Sequence, residues 1–202
     1  AEAISIPIRA AAELGQSPVI RADGVCIADI VAVAVGAAVG VRQTSCIRAG
    51  INGARHTIVP GIFLGQTVDR ETNGQPNFNA TGDDINPPLG LNDEDGIGFL
   101  TPLVPGRQAF VIVNASVPGV LYGWVDFNGD GDWADAGEMI VAQSVNAGVQ
   151  QVAYQVPASA VGCTNTFARF RFTTAPVPLS FAGPAPDGEV EDYLVYLECP
   201  PP

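Results

Sequence analysis

Residues 167–173 read Phe-Ala-Arg-Phe-Arg-Phe-Thr, and this stretch indicates the fold class. In a β-strand, successive side chains point to opposite faces. The stretch therefore has one apolar face and one cationic face: Ala168, Phe170 and Phe172 on the first, Arg169 and Arg171 on the second. Further strand-like stretches rich in valine and aromatic residues are 109–117, 120–125, 151–156 and 190–197. Short strands at this spacing predict an all-β chain that folds as an antiparallel β-sandwich or jelly roll.

The composition agrees with a β fold and excludes several kinds of partner. The chain has 202 residues with 23 glycines and 17 prolines, which favours strands joined by many turns. Its net charge of −12 makes nucleic acid a poor partner, because binding phosphates needs a basic face. The most apolar run, residues 30–41, is too short to span a bilayer, which takes about 20 residues. We therefore expect no membrane insertion.

Residues 126–138 read Asp-Phe-Asn-Gly-Asp-Gly-Asp-Trp-Ala-Asp-Ala-Gly-Glu and follow a predicted strand. Oxygen-bearing side chains recur there at alternate positions, and calcium, which takes roughly six to eight oxygen ligands, suits such a loop. The predicted calcium ligands are Asp126, Asn128, Asp130, Asp132 and Glu138, with Asp135 as an alternate. The other interpretation is a polar, solvated hairpin turn. The loop does not keep the EF-hand register, because its final glutamate comes one position too late.

A second calcium site is predicted from the remaining acidic clusters. Each cluster adjoins a glycine or proline, and some fall in the loop-rich stretch 60–108, which we expect to be pinned by ions. Like charges gathered in one fold need a counter-charge, which a cation can supply. The second ion is expected to join the clusters Asp83/Asp84 and Asp93/Asp95 to one of three later residues: Glu189, Glu191 or Asp192.

The four cysteines and the first residues predict a secreted protein. Disulfides persist in oxidising compartments, and Ala1-Glu2-Ala3 would follow naturally after cleavage of a signal peptide. Zinc is a weak alternative, because the cysteines lack the close spacing of zinc ligands and His56 is the single histidine. Three pairings are possible, and sequence order favours two disulfides: Cys26–Cys46 and Cys163–Cys199.

A series of short motifs follows one another in a fixed order along the chain. The last of them is Asp-Gly-Glu-Val-Glu-Asp-Tyr at residues 187–193. The preceding ones are residues 54–56, 64–69, 82–84, 93–96, 123–128, 137–138 and 168–171. On these motifs the chain resembles the GEVEDY domain of secreted and cell-surface bacterial proteins over roughly residues 51–197.

The resemblance implies a β-sandwich with calcium sites, from a family that occurs in large extracellular proteins beside adhesin-like repeats and surface anchors. It implies no enzymatic activity. We therefore divide the chain into two parts: an N-terminal β extension at residues 1–50 and a GEVEDY-like calcium-binding β-sandwich at residues 51–199.

No catalytic site is predicted. Glu138, Glu189 and Glu191 could in principle supply a glycosidase pair, but they lie in acidic clusters that match metal ligation better. His56 has no nucleophilic partner, and we interpret it as a hydrogen-bonded structural residue. The two arginines of the stretch 167–173 are expected to pair with Glu189 or Glu191 on a neighbouring strand.

The N-terminal residues suggest how the protein acts. Ile4, Ile6 and Ile8 alternate with Ser5 and Pro7 and predict a short donor strand, at residues 3–8, with one apolar face. Such a strand can complete the sheet of a neighbouring subunit. We predict a structural subunit of an extracellular filament or sheath, a head-to-tail homopolymer assembled by strand addition. The alternative is a monomeric adhesion module at the cell surface that binds a glycan or a surface protein.

Overall fold

The computed structural model describes residues 53–68, residue 80 and residues 94–200. These residues contain nine strands and no helix. The strands are β1 Ala54–His56, β2 Ile97–Phe99, β3 Gln108–Ala115, β4 Gly119–Val125, β5 Met139–Val145, β6 Gly148–Gln155, β7 Thr164–Thr173, β8 Gly183–Ala185 and β9 Glu189–Leu197. The predicted all-β class is confirmed. The described part of the chain therefore contains no helix that is long and apolar enough to cross a membrane.

Seven of the strands form two antiparallel sheets. One sheet has the order β5-β4-β7-β9 and the other the order β2-β3-β6. Apolar side chains from both sheets share one hydrophobic cluster: Val111, Val113 and Val152 from the smaller sheet, and Leu121, Phe170 and Phe172 from the larger. Burial of such side chains contributes roughly 1.5–3 kcal/mol each. The two sheets therefore form the predicted β-sandwich, while its jelly-roll connectivity stays a prediction.

Strand β7 has the alternation that its sequence predicts. Phe170 and Phe172 are fully buried in the core between the sheets, and Arg169 and Arg171 are fully buried on the opposite face. That outer face of the larger sheet carries a second apolar cluster, in which Trp124, Trp133 and Phe167 pack together. The short parallel pair β1 and β8 supplies backbone carbonyls to Arg171 on the same face. Both faces of β7 are thus covered.

Several predictions concern residues that lie outside the described part of the chain. They include the extension at residues 1–50 with the donor strand Ile4, Ile6 and Ile8, and the pair Cys26 and Cys46. They also include the second-site residues Asp83, Asp84 and Asp93. These predictions, and the domain division that depends on them, stay predictions.

Candidate metal site

The acidic loop, residues 126–138, connects β4 to β5. Its base is closed by backbone hydrogen bonds, because the Val125 amide donates to the Glu138 carbonyl at 2.9 Å and the Asp126 amide donates to the Phe167 carbonyl at 3.0 Å. The turns inside it depend on Gly129 and Gly131, whose φ angles of 72° and 92° lie in the left-handed region that side chains disfavour. The glycines of the sequence motif therefore set the path of this loop.

Two of the predicted ligands point into the base of the loop. Asp126 accepts hydrogen bonds from the amides of Gly129 (2.6 Å) and Gly131 (3.1 Å). Glu138 accepts from the amides of Phe127 (3.1 Å) and Asp135 (3.2 Å). Both residues are buried, and burial raises the pKa of Asp126 and raises that of Glu138 to about 7. These two carboxyl groups hold the loop in shape from the inside.

The alternate spacing of the other side chains produces a series of Asx turns. The Asn128 side-chain oxygen accepts from the Asp130 amide at 2.9 Å, and the Asp130 carboxylate accepts from the Asp132 amide at 3.2 Å. The Asp132 carboxylate in turn accepts from the Ala134 amide at 2.8 Å. Each side chain thus caps the backbone two residues further on, which Asn and Asp do readily. The winding gathers the carboxylates of Asp130 and Asp132 on one side of the loop.

Three carboxylates meet on that exposed side. Asp130, Asp132 and Asp135 each place a carboxylate oxygen within 4.8 Å of the others. The Asn128 amide nitrogen lies among them and donates to Asp130 at 3.1 Å and to Asp135 at 2.7 Å. The structure therefore brings together four of the six predicted ligand residues, including the alternate Asp135, while the carboxyl groups of Asp126 and Glu138 accept hydrogen bonds from loop amides.

The two glutamates of the 187–193 motif fasten loops to the edge of the sandwich. Glu191 accepts from the amides of Asp95 (3.2 Å) and Gly96 (2.8 Å), and from the Tyr193 hydroxyl at 3.1 Å. Glu189 accepts from the Leu64 amide at 2.6 Å. Burial raises the pKa of Glu191 to about 8. Two residues of the predicted second site therefore lie in contact, because the backbone amide of Asp95 donates to Glu191. The carboxylate of Asp95 accepts from the Gln66 amide at 2.9 Å.

Asp192 lies on the other face of β9 from these glutamates. Its two carboxylate oxygens accept from Arg169, from Nε at 2.7 Å and from Nη2 at 2.6 Å. Both side chains are buried. The expectation that the arginines of β7 pair with Glu189 or Glu191 is therefore wrong. Alternation along β9 places the two glutamates on the core side and Asp192 on the arginine side, so we remove Asp192 from the second site.

Residues 120–196 match the family model of the GEVED domain. The predicted resemblance is confirmed for this part of the chain, here called the GEVED region. The region runs from β4 to β9 and contains the acidic loop, Arg169, Asp192 and the 187–193 motif. No curated protein and no solved structure matches the chain.

Arg171 of the GEVED region has partners that the sequence did not suggest. Its Nε donates to His56 Nε2 at 3.0 Å, and its terminal nitrogens donate to backbone carbonyls, including those of Ser180 (2.6 Å) and Gly183 (2.9 Å). His56 Nδ1 lies 2.6 Å from the Asp187 carbonyl and donates to it. Burial and the adjacent guanidinium lower the pKa of His56 to about 3. The interpretation of His56 as a hydrogen-bonded structural residue is confirmed.

A disulfide joins Cys163 to Cys199, as sequence order predicted. It ties the start of β7 to the chain just after β9, at one end of the GEVED region. The two strands it flanks are also paired with each other along the whole of β9, from Thr164 opposite Leu197 to Phe172 opposite Glu189. The disulfide therefore closes the strand pair that carries the buried arginines.

Two surface hollows border the acidic loop. The larger, about 520 Å³, is lined mainly by apolar residues, among them Met139, Leu179 and Phe181. The smaller, about 320 Å³, lies between the loop and Pro157. Asp135 lines both hollows and also belongs to the carboxylate cluster. Asp135 is therefore the residue through which the cluster borders both hollows.

Proposed function

We propose that this protein is a secreted, calcium-binding structural protein, a subunit of an extracellular filament or sheath that assembles by N-terminal β-strand addition. Calcium binding is proposed because the carboxylates of Asp130, Asp132 and Asp135 lie close together on a loop. Hydrogen bonds that Asp126 and Glu138 accept from loop amides hold that loop in its shape. The assembly part is supported by the sequence of residues 3–8.

The residues of the cluster fit a calcium ion by their chemistry. Calcium prefers carboxylate, carbonyl and water oxygens, and three carboxylates offer it charge and several of the roughly six to eight positions it fills. The Asn128 amide already holds a positively polarised N–H group between two of them. A half-turn of that amide would present its oxygen instead, in exchange for the hydrogen bond that this oxygen accepts from the Asp130 amide, so Asn128 is the fourth ligand of the proposed set.

The loop needs little rearrangement to bind. Asp126 and Glu138 fix its backbone through four amide hydrogen bonds, so the carboxylates of Asp130, Asp132 and Asp135 are already close together. Carboxylates held this close repel one another, and a bound cation relieves that repulsion. Binding to the folded state alone stabilises that state by mass action, by about 2.7 kcal/mol at a hundredfold excess over Kd. Calcium would thus stiffen the connection between β4 and β5.

Secretion is supported by the disulfide Cys163–Cys199, because such bonds persist in oxidising compartments. Self-assembly is supported by the alternation of Ile4, Ile6 and Ile8, which matches a strand with one apolar face. Burial of these side chains would contribute roughly 1.5–3 kcal/mol each. A head-to-tail contact that does not close on itself gives an open filament.

Electron microscopy of the full chain, and of a variant without residues 1–8, tests the assembly. The full chain is expected to form filaments, and the truncated chain to remain a folded monomer that still binds calcium. Addition of a chelator to the filaments is expected to lower their melting temperature. If the truncated chain assembles, or the full chain stays monomeric at high concentration, strand addition is wrong.

The larger hollow favours the second candidate, a monomeric adhesion or glycan-binding module. It is apolar, it adjoins the carboxylate cluster, and Asp135 belongs to both. Sugar hydroxyls could fill calcium positions left open by the protein, while a sugar ring contacts Phe181 or Met139. A glycan array probed with and without calcium would separate this candidate from the filament.

A further inference from the structure

Strand β6 is an edge strand of the sandwich that the described residues form. It is the last strand of the three-stranded sheet, and it pairs with β3 in an unbroken register from Gly148 opposite Ala115 to Gln155 opposite Gln108. Within the part of the chain that the structure describes, no strand pairs with its other side. An edge of this kind offers a row of amides and carbonyls that another strand can bind.

Among the residues that the structure describes, this edge shows none of the features by which sheets avoid pairing with other chains. Such features are charged side chains, prolines, bulges, short length or a covering segment. No charged residue occurs between Glu138 and Arg169, and no proline occurs in β6. The exposed side chains of β6 are uncharged: Val149, which is 69% exposed, Gln151, Ala153 and Gln155.

The other edge strands are protected. Strand β5 has an irregular register opposite Gly123 and Trp124, and β2 is three residues long. Strand β9 is covered at its end, where Leu103 bridges to Leu197 and the Glu198 amide donates to the Leu103 carbonyl at 2.9 Å. In its first half, the side chains of Glu189 and Glu191 bind the amides of Leu64, Asp95 and Gly96, which holds these loop residues against the strand. Among the described strands, β6 is therefore the edge best suited to receive another strand.

We propose that the free edge of β6 is the acceptor for residues 3–8 of a second copy of this chain. The inference rests on the strand-addition part of the proposed function and names the surface that receives the strand. Residues 3–8 have no charged side chain, and charges occur only on either side of them, at Glu2 and Arg9. This uncharged segment is therefore suited to pair with the uncharged edge of β6. The net charge of −12 disfavours contact between copies through acidic surfaces, whereas the β6 edge brings no charges together.

Pro7 fixes which side of the added strand faces β6. Proline lacks an amide proton, so it is tolerated in a strand only where its nitrogen faces away from the partner. Amides of alternate residues point to the same side of a strand. With Pro7 outward, Ile4, Ile6 and Ile8 direct their amides and carbonyls to β6. Pro7 then lies on the new outer edge, where it has no amide proton to donate, so a third chain does not pair there.

The test uses two matched double variants of the full chain. Val149→Lys/Gln151→Lys places two positive charges on the β6 edge. Leu194→Lys/Tyr196→Lys makes the same change of charge on β9, where the side chains are 49% and 47% exposed. Sedimentation velocity at increasing concentration measures self-association, and a thermal melt checks that each variant is folded. We expect at least a tenfold weaker association for the β6 variant and less than a threefold change for the β9 variant.

A synthetic peptide of residues 1–10 provides a second measurement. It is expected to bind the full chain and to shorten its filaments, whereas a peptide with all three isoleucines replaced by serine should do neither. Loss of peptide binding in the Val149→Lys/Gln151→Lys variant would place that contact at β6.

The outcomes separate the acceptor from the assembly itself. If deletion of residues 1–8 prevents assembly but the β6 variant assembles like the unchanged chain, strand addition stands and the acceptor is wrong. If the β6 variant fails to assemble but the deleted chain assembles, β6 pairs with some other strand of a second copy and residues 3–8 are not its occupant. A full chain that stays monomeric overturns both.

Discussion

Arg169 and Asp192 stand directly opposite each other on β7 and β9 and share two hydrogen bonds, of 2.7 and 2.6 Å. The same guanidinium donates to the Phe181 carbonyl at 2.8 Å and lies 4.8 Å from the centre of the Trp133 ring. Trp133 belongs to the acidic loop, so this pair connects the loop to the β7–β9 strand pair. The last acidic residue of the 187–193 motif thus has a structural role.

Replacing Asp192 with alanine is expected to cost about 3–5 kcal/mol of unfolding free energy, because it removes the buried carboxylate that accepts two hydrogen bonds from Arg169. Urea unfolding measures the loss. Adding Arg169→Met to that variant should recover part of the loss, since the buried positive charge is then gone. Glu198→Gln, further along the same segment, is the control and should change stability by roughly 0.5 kcal/mol or less. Equal costs for Asp192→Ala and Glu198→Gln would contradict the assignment.

His56 gives the protein a pH dependence of known sign. The pKa of His56 in the folded state is lowered to about 3, below the ordinary value of about 6.5. Between these values the unfolded chain binds a proton that the folded chain does not, so stability falls as pH drops from about 6.5 towards 3. In His56→Gln, which has no titrating group there, this part of the slope should vanish. Chemical unfolding at several pH values measures the difference in unfolding free energy between the two proteins. If the assignment is wrong, this difference should not change with pH.

Loss of the Cys163–Cys199 disulfide is expected to destabilise the fold. The bond closes a loop with a sequence separation of 36, for which the chain-entropy estimate is about 3–4 kcal/mol. Unfolding of Cys163→Ala/Cys199→Ala under oxidising conditions measures the loss. Non-reducing peptide mapping of the unchanged chain should recover this link together with Cys26–Cys46. A link between Cys26 and Cys163 would refute both pairings.

Residues of the acidic loop have two different roles: Glu138 holds the loop backbone in shape, and Asp132 belongs to the proposed calcium ligands. Glu138→Gln should lower the melting temperature without calcium, because an amide can accept only one of the two backbone hydrogen bonds that the carboxyl accepts. Asp132→Asn should leave that temperature unchanged or raise it, since it relieves repulsion among the three carboxylates. Thermal melts in chelator compare the two variants. If Asp132→Asn is the more destabilising, the division of roles is wrong.

Much of the fold follows from the sequence. The alternation at residues 167–173 and the aromatic and valine content of the neighbouring stretches predicted β3, β4, β6, β7 and β9 close to their observed limits. Strand β5 was missed, because Met139–Val145 has no regular alternation: three consecutive residues are exposed at this edge of the sheet. Short strands such as β1 and β8 depend on pairing across a long sequence separation, which local composition does not reveal.

The candidate site could be predicted only in part. The spacing identified the oxygen-bearing side chains. Which of them bind backbone amides depends on the path of the loop, which glycines in the left-handed region set. Asp126 and Glu138 are the two that accept from amides within the loop. The separation of Asp192 from Glu191 could have been read from strand alternation. The contact between His56 and Arg171 joins residues 115 positions apart and left no signal in the sequence.

Calorimetric titration of calcium into the chelated full chain tests the central claim most directly. The proposed cluster predicts heat of binding with a Kd of roughly 10⁻⁵ to 10⁻³ M, in the range of weaker sensor and extracellular sites, together with a higher melting temperature. In the variant Asp130→Asn/Asp132→Asn/Asp135→Asn that heat should disappear, and any that remains would come from the second predicted site. No heat from the unchanged chain and an unchanged melting temperature, or an undiminished titration in the triple variant, would contradict a calcium site in this loop.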